Sequence, residues 1–201
     1  MRVPRVLMVM LMLALAHGAA AQEISYGAKA GVSFSTLSFD PSSELSYGLR
    51  TGLVAGGFVA FPIGSRLAIQ PEGLFTQKGA KADALGVSAT IKIDYVEVPV
   101  LAKYTVSGGP ARSFHVFGGP SVGFKVHSSA SATFGGSTIE TDNDDGLEDL
   151  DYGVVMGAGM TFDRVTVEGR FTLGLANINA EDPDESKART RAVGILAGVR
   201  F

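Results

Sequence analysis

Val193-Gly194-Ile195-Leu196-Ala197-Gly198-Val199-Arg200-Phe201 closes the sequence, and its parity decides the fold. In an extended strand successive side chains point to opposite faces. Val193, Ile195, Ala197, Val199 and Phe201 therefore share one face, and Gly194, Leu196, Gly198 and Arg200 share the other. One face suits lipid; the other suits a crowded interior. Upstream, Val165, Val167, Phe171 and Leu173 alternate with Thr166, Glu168, Arg170 and Thr172. Phe114, Val116, Val122 and Phe124 likewise oppose His115, Ser121 and Lys125. A soluble sandwich also alternates, but here the apolar face is broad and the opposite face carries charges and glycines, the pattern of a wall with lipid outside and a closed interior.

Working outward from that segment, period-2 alternation predicts strands near residues 24–35, 47–61, 66–78, 89–105, 113–127, 151–162, 164–176 and 190–201. The expected fold is all-β, an eight-stranded antiparallel transmembrane β-barrel. Short links at 62–65, 106–112 and 163–164 belong to periplasmic turns; the longer ones at 36–46, 79–88, 128–150 and 177–189 belong to extracellular loops. The 26 glycines are scattered within apolar segments, which is hostile to helices and tolerable in curved, closed sheets. Ile91 and Ile93 differ in parity from Val96, Val98 and Val100, which predicts a bulge near Asp94-Tyr95 or a strand end standing above the membrane. Pro71 and Pro99 sit mid-segment, where each removes a ladder donor.

Residues 1–21 read as a cleaved secretory signal: Arg2 and Arg5 are followed by the apolar run Val6 to Ala16 and the small residues Ala19-Ala20-Ala21. Residues 22–201 then form one barrel domain. The 17 Lys+Arg lose Arg2 and Arg5, leaving 15 against 20 Asp+Glu and a net charge of −5, which argues against a nucleic-acid partner. With no cysteine, disulfide scaffolds, thiolate metal sites and cysteine nucleophiles are excluded.

Several short motifs stand on these predicted strands. They are Gly27-Ala28-Lys29-Ala30-Gly31-Val32-Ser33, Gln70-Pro71-Glu72, Gln77-Lys78-Gly79, Tyr95-Val96-Glu97-Val98-Pro99, Gly118-Gly119-Pro120 and Gly198-Val199-Arg200-Phe201. Together they resemble the PorT-like outer-membrane β-barrel family, with Ser33 standing where that family often has Asn. The resemblance implies an integral outer-membrane protein, and some members of that family take part in protein export. Outer-membrane barrels resemble one another in ending on an aromatic residue that engages the barrel-assembly machinery during insertion, a role that falls here to Phe201.

The strand parities turn Lys29, Arg50, Glu72, Glu97, Lys103, Lys125, Glu168, Arg170 and Arg200 inward. An eight-stranded barrel is only wide enough for side chains to fill it, so these groups are expected to pair as an ionic plug. Glu72 and Glu97 could alternatively form a carboxylate pair for acid–base work. His127 with Ser128 or Ser129 near the outer rim is the candidate for a lipid-modifying enzyme, although residues adjacent on a strand point to opposite faces. His115 is the other histidine after the signal. The stretch from Glu140 to Asp151 has seven acids and no base, which invites a divalent cation. Fixing Gly146 as the sixth position of a calcium loop, however, places Thr141 first and Tyr152 twelfth, and neither suits. The acids from Glu181 to Glu185 are similarly ambiguous. The expectation is a filled, non-enzymatic barrel without cofactor or metal, with a structural or interaction role in the envelope. Its partners would be outer-membrane lipid, lipopolysaccharide and an envelope protein; a narrow channel and a lipid-modifying enzyme are the alternatives.

Overall fold

The computed structural model describes residues 24–40, 47–84, 87–109, 111–134, 137–142, 147–178 and 187–201. The expected signal at 1–21 and the acids Asp144, Asp145 and Glu181 to Glu185 lie outside the described residues. Strands β1 (Ser25–Asp40), β2 (Tyr47–Ile63), β3 (Leu67–Ala84), β4 (Val87–Gly108) and β5 (Arg112–Phe134) follow one another in hairpins. A short β6 (Ser137–Asp142) precedes β7 (Leu150–Phe162), β8 (Val165–Gly174) and β9 (Lys187–Arg200). Neighbours in the ring are antiparallel: β1 pairs with β2 and β9, and the β4–β5 and β5–β7 pairings complete an eight-stranded closure. β6 stands apart from the ring, pairing with the outer end of β5.

The parity of the last segment holds in the fold. Ala192, Gly194, Leu196 and Gly198 are buried while Val193, Ile195, Ala197 and Val199 are exposed on the outer wall. At the end carrying the short turns, that wall bears Tyr26, Phe61, Tyr104, Phe114, Phe162 and Phe201, all exposed. Such an aromatic girdle beneath an apolar band marks a membrane–water boundary. Tyr26 and Phe201 meet across the β1–β9 seam with ring centroids 6.0 Å apart.

Two expected loops are corrected. Residues 79–88 and 128–150 were expected to be irregular, but β3 continues to Ala84, β4 begins at Val87 and β5 runs to Phe134. Their hydrogen bonds persist beyond the barrel because the hairpin partners continue in register, Ala84 opposite Val87 and Val87 opposite Phe134. The parity conflict in β4 marks a register shift at Asp94-Tyr95, where a bulge was expected, and the start of β4 also stands beyond the barrel, but the extra residue is on the neighbouring strand. Ile93, Tyr95, Glu97, Pro99 and Leu101 all face inward without a break in phase. The register does shift between Asp94 and Tyr95, but Asp94 opposes His127 and Tyr95 opposes Lys125, so the extra residue is Val126 on β5. Ile93 is apolar because it joins an interior cluster, not because the strand has turned over.

Prolines are accommodated at gaps in the ladder. Pro71 pairs with Val100 on β4 but has no paired residue on β2; Pro99 pairs with Ser121 on β5 but has none on β3; Pro120 pairs with Val154 on β7 but has none on β4. Each missing amide thus falls where the strand already lacks a ladder pair. Gly79 has φ +142°, and a Cβ there would stand 2.0 Å from the Ile91 carbonyl oxygen, so this kink in β3 requires glycine.

Candidate functional site

The interior is the site that the inward parities point to, and β3 orders its layers. Gln70, Glu72, Leu74, Thr76 and Lys78 alternate along it as buried residues, read from the turn end toward the loop end. Around Glu72, Lys29 Nζ lies 2.7 Å from Glu72 Oε1 and 2.9 Å from Glu168 Oε1. Arg170 bridges the same two acids, with Nη1 3.0 Å from Glu72 Oε2 and Nη2 on Glu168 Oε1. Gln70 Nε2 donates to Glu72 Oε1 at 2.7 Å. Two cations and two carboxylates thus balance inside the wall, which is the condition under which buried charge is tolerated.

Aromatic faces complete this layer. Lys29 Nζ lies 5.0 Å from the Phe58 ring centroid, and the Arg170 guanidinium lies 5.7 Å from that of Phe117. Val54, Leu74 and Leu196 pack together beyond it, and Leu101, Phe117 and Val155 form a second apolar group. Further up, Lys78 Nζ pairs with Glu97 Oε1 at 2.5 Å and Asp151 Oδ2 at 3.4 Å, while Thr190 donates to Asp151 Oδ2 at 2.8 Å. The loop end is stopped by Leu37, Ala80, Ile93, Tyr95, Ala176, Ile178 and Ala188, with Leu147 packed against them.

Of the residues expected inside, Lys29, Arg50, Glu72, Glu97, Glu168 and Arg170 are buried. The Arg50 guanidinium donates to the Lys78 carbonyl. Lys103 is half-buried and lines a small void with Lys29, Gln70 and Glu168. The Lys125 side chain is enclosed near the loop end, donating to the Leu147 carbonyl and pairing with Asp149 at 3.2 Å. Arg200 is corrected: it is exposed and donates to the Asp163 carbonyl at 3.3 Å, because it lies at the rim where the wall ends. Two interior charges escape the sequence reading. Lys78 has the parity of Glu72 but falls at the end of the expected strand, and Asp151 hides in the acidic stretch although its parity matches Val155.

The arrangement bears on the chemical alternatives. Glu72 and Glu97 belong to different ion clusters, each already engaged by a cation. His127 is exposed whereas Ser128 and Ser129 are buried, and the Ser129 hydroxyl donates to Glu140 Oε1 at 3.0 Å. His115 is fully buried, its ring 6.1 Å from that of Phe117, and neither nitrogen has a hydrogen-bond partner among the described residues. Three acids of the 140–151 stretch are drawn to different cations, Glu140 to Lys92, Asp149 to Lys125 and Asp151 to Lys78. Interior voids at the Lys103 layer and beside Leu74 offer about 10 and 20 Å³ to a water centre, roughly one water each.

A family model described as outer membrane protein beta-barrel domain matches residues 20–180. Neisserial surface protein A is similar at 14% identity, covering 90% of this chain and 100% of its own, with a TM-score of 0.49. The outer membrane protein OprG from Pseudomonas aeruginosa is similar at 11% identity, covering 89% of this chain and 94% of its own, with a TM-score of 0.47. Ail, the attachment invasion locus protein of Yersinia pestis, in complex with the heparin analogue sucrose octasulfate, is similar at 15% identity over 90% of this chain and 100% of its own, with a TM-score of 0.45. No curated protein matches the chain. The inward parities, the eight-strand closure and the family match converge, and the chain belongs to the family of outer-membrane proteins built on this β-barrel domain.

Proposed function

We propose that this protein is a closed, non-enzymatic barrel of the outer membrane whose role is to present an interaction surface to another envelope component. The observation that carries the reading is the combination of a stopped interior with strands that outrun the barrel. β5 extends from Phe124, its last pair with β7, to Phe134, about 33 Å along the strand at ~3.3 Å per residue. β3, β4 and β6 accompany it as one projecting sheet. β6 is hydrogen-bonded on one side only among the described residues, and Ile139 on it is 73% exposed. An unpaired edge of this kind accepts an extended segment from a partner.

The PorT-like resemblance of the Gln70-Pro71-Glu72 and Val98-Pro99 segments supports a place for such a partner in protein export. The non-enzymatic reading draws support from the engagement of Glu72 and Glu97 by cations.

Photo-cross-linking in intact cells tests the reading, with the cross-linker placed at Ile139 on the projecting sheet and, separately, at Gly109 at the turn end. A stoichiometric protein captured from Ile139 is the expected result. Capture limited to abundant neighbours and lipopolysaccharide from both positions would leave a stand-alone barrel and refute the interaction role.

A further inference from the structure

The outward stripe of β9 changes chemistry part-way up the wall. From the turn end it runs Phe201, Val199, Ala197, Ile195 and Val193, all exposed, and continues on the same face into Arg191 and Arg189, also exposed. In the register Arg191 stands between Thr36 on β1 and Leu173 on β8, and Arg189 stands opposite Ser38. Two guanidinium groups therefore follow an apolar stripe directly, on a chain whose remaining charge is predominantly acidic.

Geometry sets their height. Ten residues separate Phe201 from Arg191, about 33 Å of strand at ~3.3 Å per residue. A tilt of about 40° reduces this to roughly 25 Å along the membrane normal, which is the height of the apolar band on outer-membrane barrels. Arg191 thus emerges at the hydrocarbon boundary, and Arg189 lies about 5 Å beyond it by the same arithmetic. Phosphate groups of the lipid occupy that level. Among the described residues neither arginine has an ion-pair partner, whereas Lys29, Lys78 and Arg170 inside the barrel are each paired with two acids. A guanidinium fork matches phosphate oxygens, and two forks on one face of a strand, about 7 Å apart, suit a headgroup bearing more than one phosphate oxygen cluster.

We infer that Arg189 and Arg191, flanked by Thr36 and Ser38, form an outward-facing site for the phosphorylated headgroup of an outer-leaflet lipid. The site is independent of any protein partner at the projecting sheet. It holds a lipid against the β1–β9 seam, where the first and last strands close the ring.

The test uses the full chain, purified in detergent and titrated by native mass spectrometry with bisphosphorylated lipid A, dephosphorylated lipid A and inorganic pyrophosphate. The expected result is preferential binding of the phosphorylated lipid, little competition from pyrophosphate, and about a twenty-five-fold loss of affinity in R189Q/R191Q, taking each surface cation as worth roughly a factor of five. R189K/R191K, which keeps the charge but loses both forks, should bind more weakly than the parent and more tightly than R189Q/R191Q, and Lys81→Gln should bind as the parent does. Equal binding of the phosphorylated and dephosphorylated lipids, or unchanged binding by R189Q/R191Q, would overturn the site. Pyrophosphate binding as tightly as the lipid would overturn the assignment to a lipid headgroup.

Discussion

Gly157 on β7 lies directly across from Phe117 on β5, and the Phe117 ring occupies the space that a side chain at 157 would need, its nearest carbon 2.5 Å from where a Cβ would stand. Gly27 and Phe58 repeat the relationship across β1 and β2, with the ring 2.6 Å from the Cβ position. Both rings then lie against cations of the Glu72–Glu168 layer, Phe58 against Lys29 and Phe117 against Arg170. Glycine on one strand makes room for a ring from the next, and the ring supports the ion cluster.

Gly157→Ala should therefore destabilise the barrel by about 1–3 kcal/mol, the usual cost of overpacking. The Gly169 carbonyl also lies 2.3 Å from the Cβ position, so truncating Phe117 to Ala in the same chain should relieve only part of the loss. Urea unfolding in lipid vesicles, followed by the electrophoretic shift between folded and unfolded barrel, measures both variants.

The Lys29, Arg170, Glu72 and Glu168 cluster is balanced, which makes charge parity its testable property. Lys29→Met leaves one cation for two buried carboxylates and should cost about 3–5 kcal/mol. Lys29→Met with Glu168→Gln leaves the Arg170–Glu72 pair, neutral as a unit, and should recover much of that loss. Equal instability of the single and double variants would show that packing, not charge balance, holds the layer.

Outside the membrane, Lys92 and Ser129 hydrogen-bond the Glu140 carboxylate and hold its pKa below the ordinary value. A carboxyl with a depressed folded pKa contributes stability above its unfolded value, and that contribution disappears as pH falls through the folded one. Protection factors in the β5–β6 hairpin, exchange rates taken relative to the intrinsic rate at each pH, should therefore fall below about pH 4, near the unfolded carboxyl pKa. Glu140→Gln should exchange faster at neutral pH and show a weaker pH dependence.

Conductance separates the closed barrel from the narrow channel. Purified protein in planar bilayers should give no discrete steps, because the ion clusters and the Ile93–Ile178 apolar stop fill the lumen in succession. Reproducible unitary steps from the parent chain would establish a channel.

Much of this fold was legible in local parity. The segment from Val193 to Phe201 displays its two faces without help from any distant residue, and Lys29, Glu72, Glu168 and Arg170 follow from the same rule on their own strands. Partnership among them was not legible, since it depends on three strands, β1, β3 and β8, brought together by closure of the ring. Parity also fails where a register slips. Val126 shifts β5 by one residue, so that Lys125 and Ser128 both turn inward, and no local signal marks the extra residue. Arg200 has the correct parity and the wrong height, a quantity that alternation does not encode. Extension of β3, β4 and β5 beyond the barrel was hidden for a different reason: away from lipid neither face has to be apolar, so the alternating pattern fades while the hydrogen-bonded ladder continues.

The absence of cysteine makes the most direct test clean. Single cysteines placed in turn at residues 192 to 199 of β9, in protein reconstituted into sealed vesicles, can be challenged with a lipid-soluble maleimide and with a membrane-impermeant one supplied to both sides. The closed, membrane-spanning barrel predicts lipid-phase labelling at 193, 195, 197 and 199, and no labelling by the impermeant reagent at 192, 194 or 196. Impermeant labelling at 194 and 196 would reveal an aqueous lumen, and loss of the alternation would contradict the barrel itself.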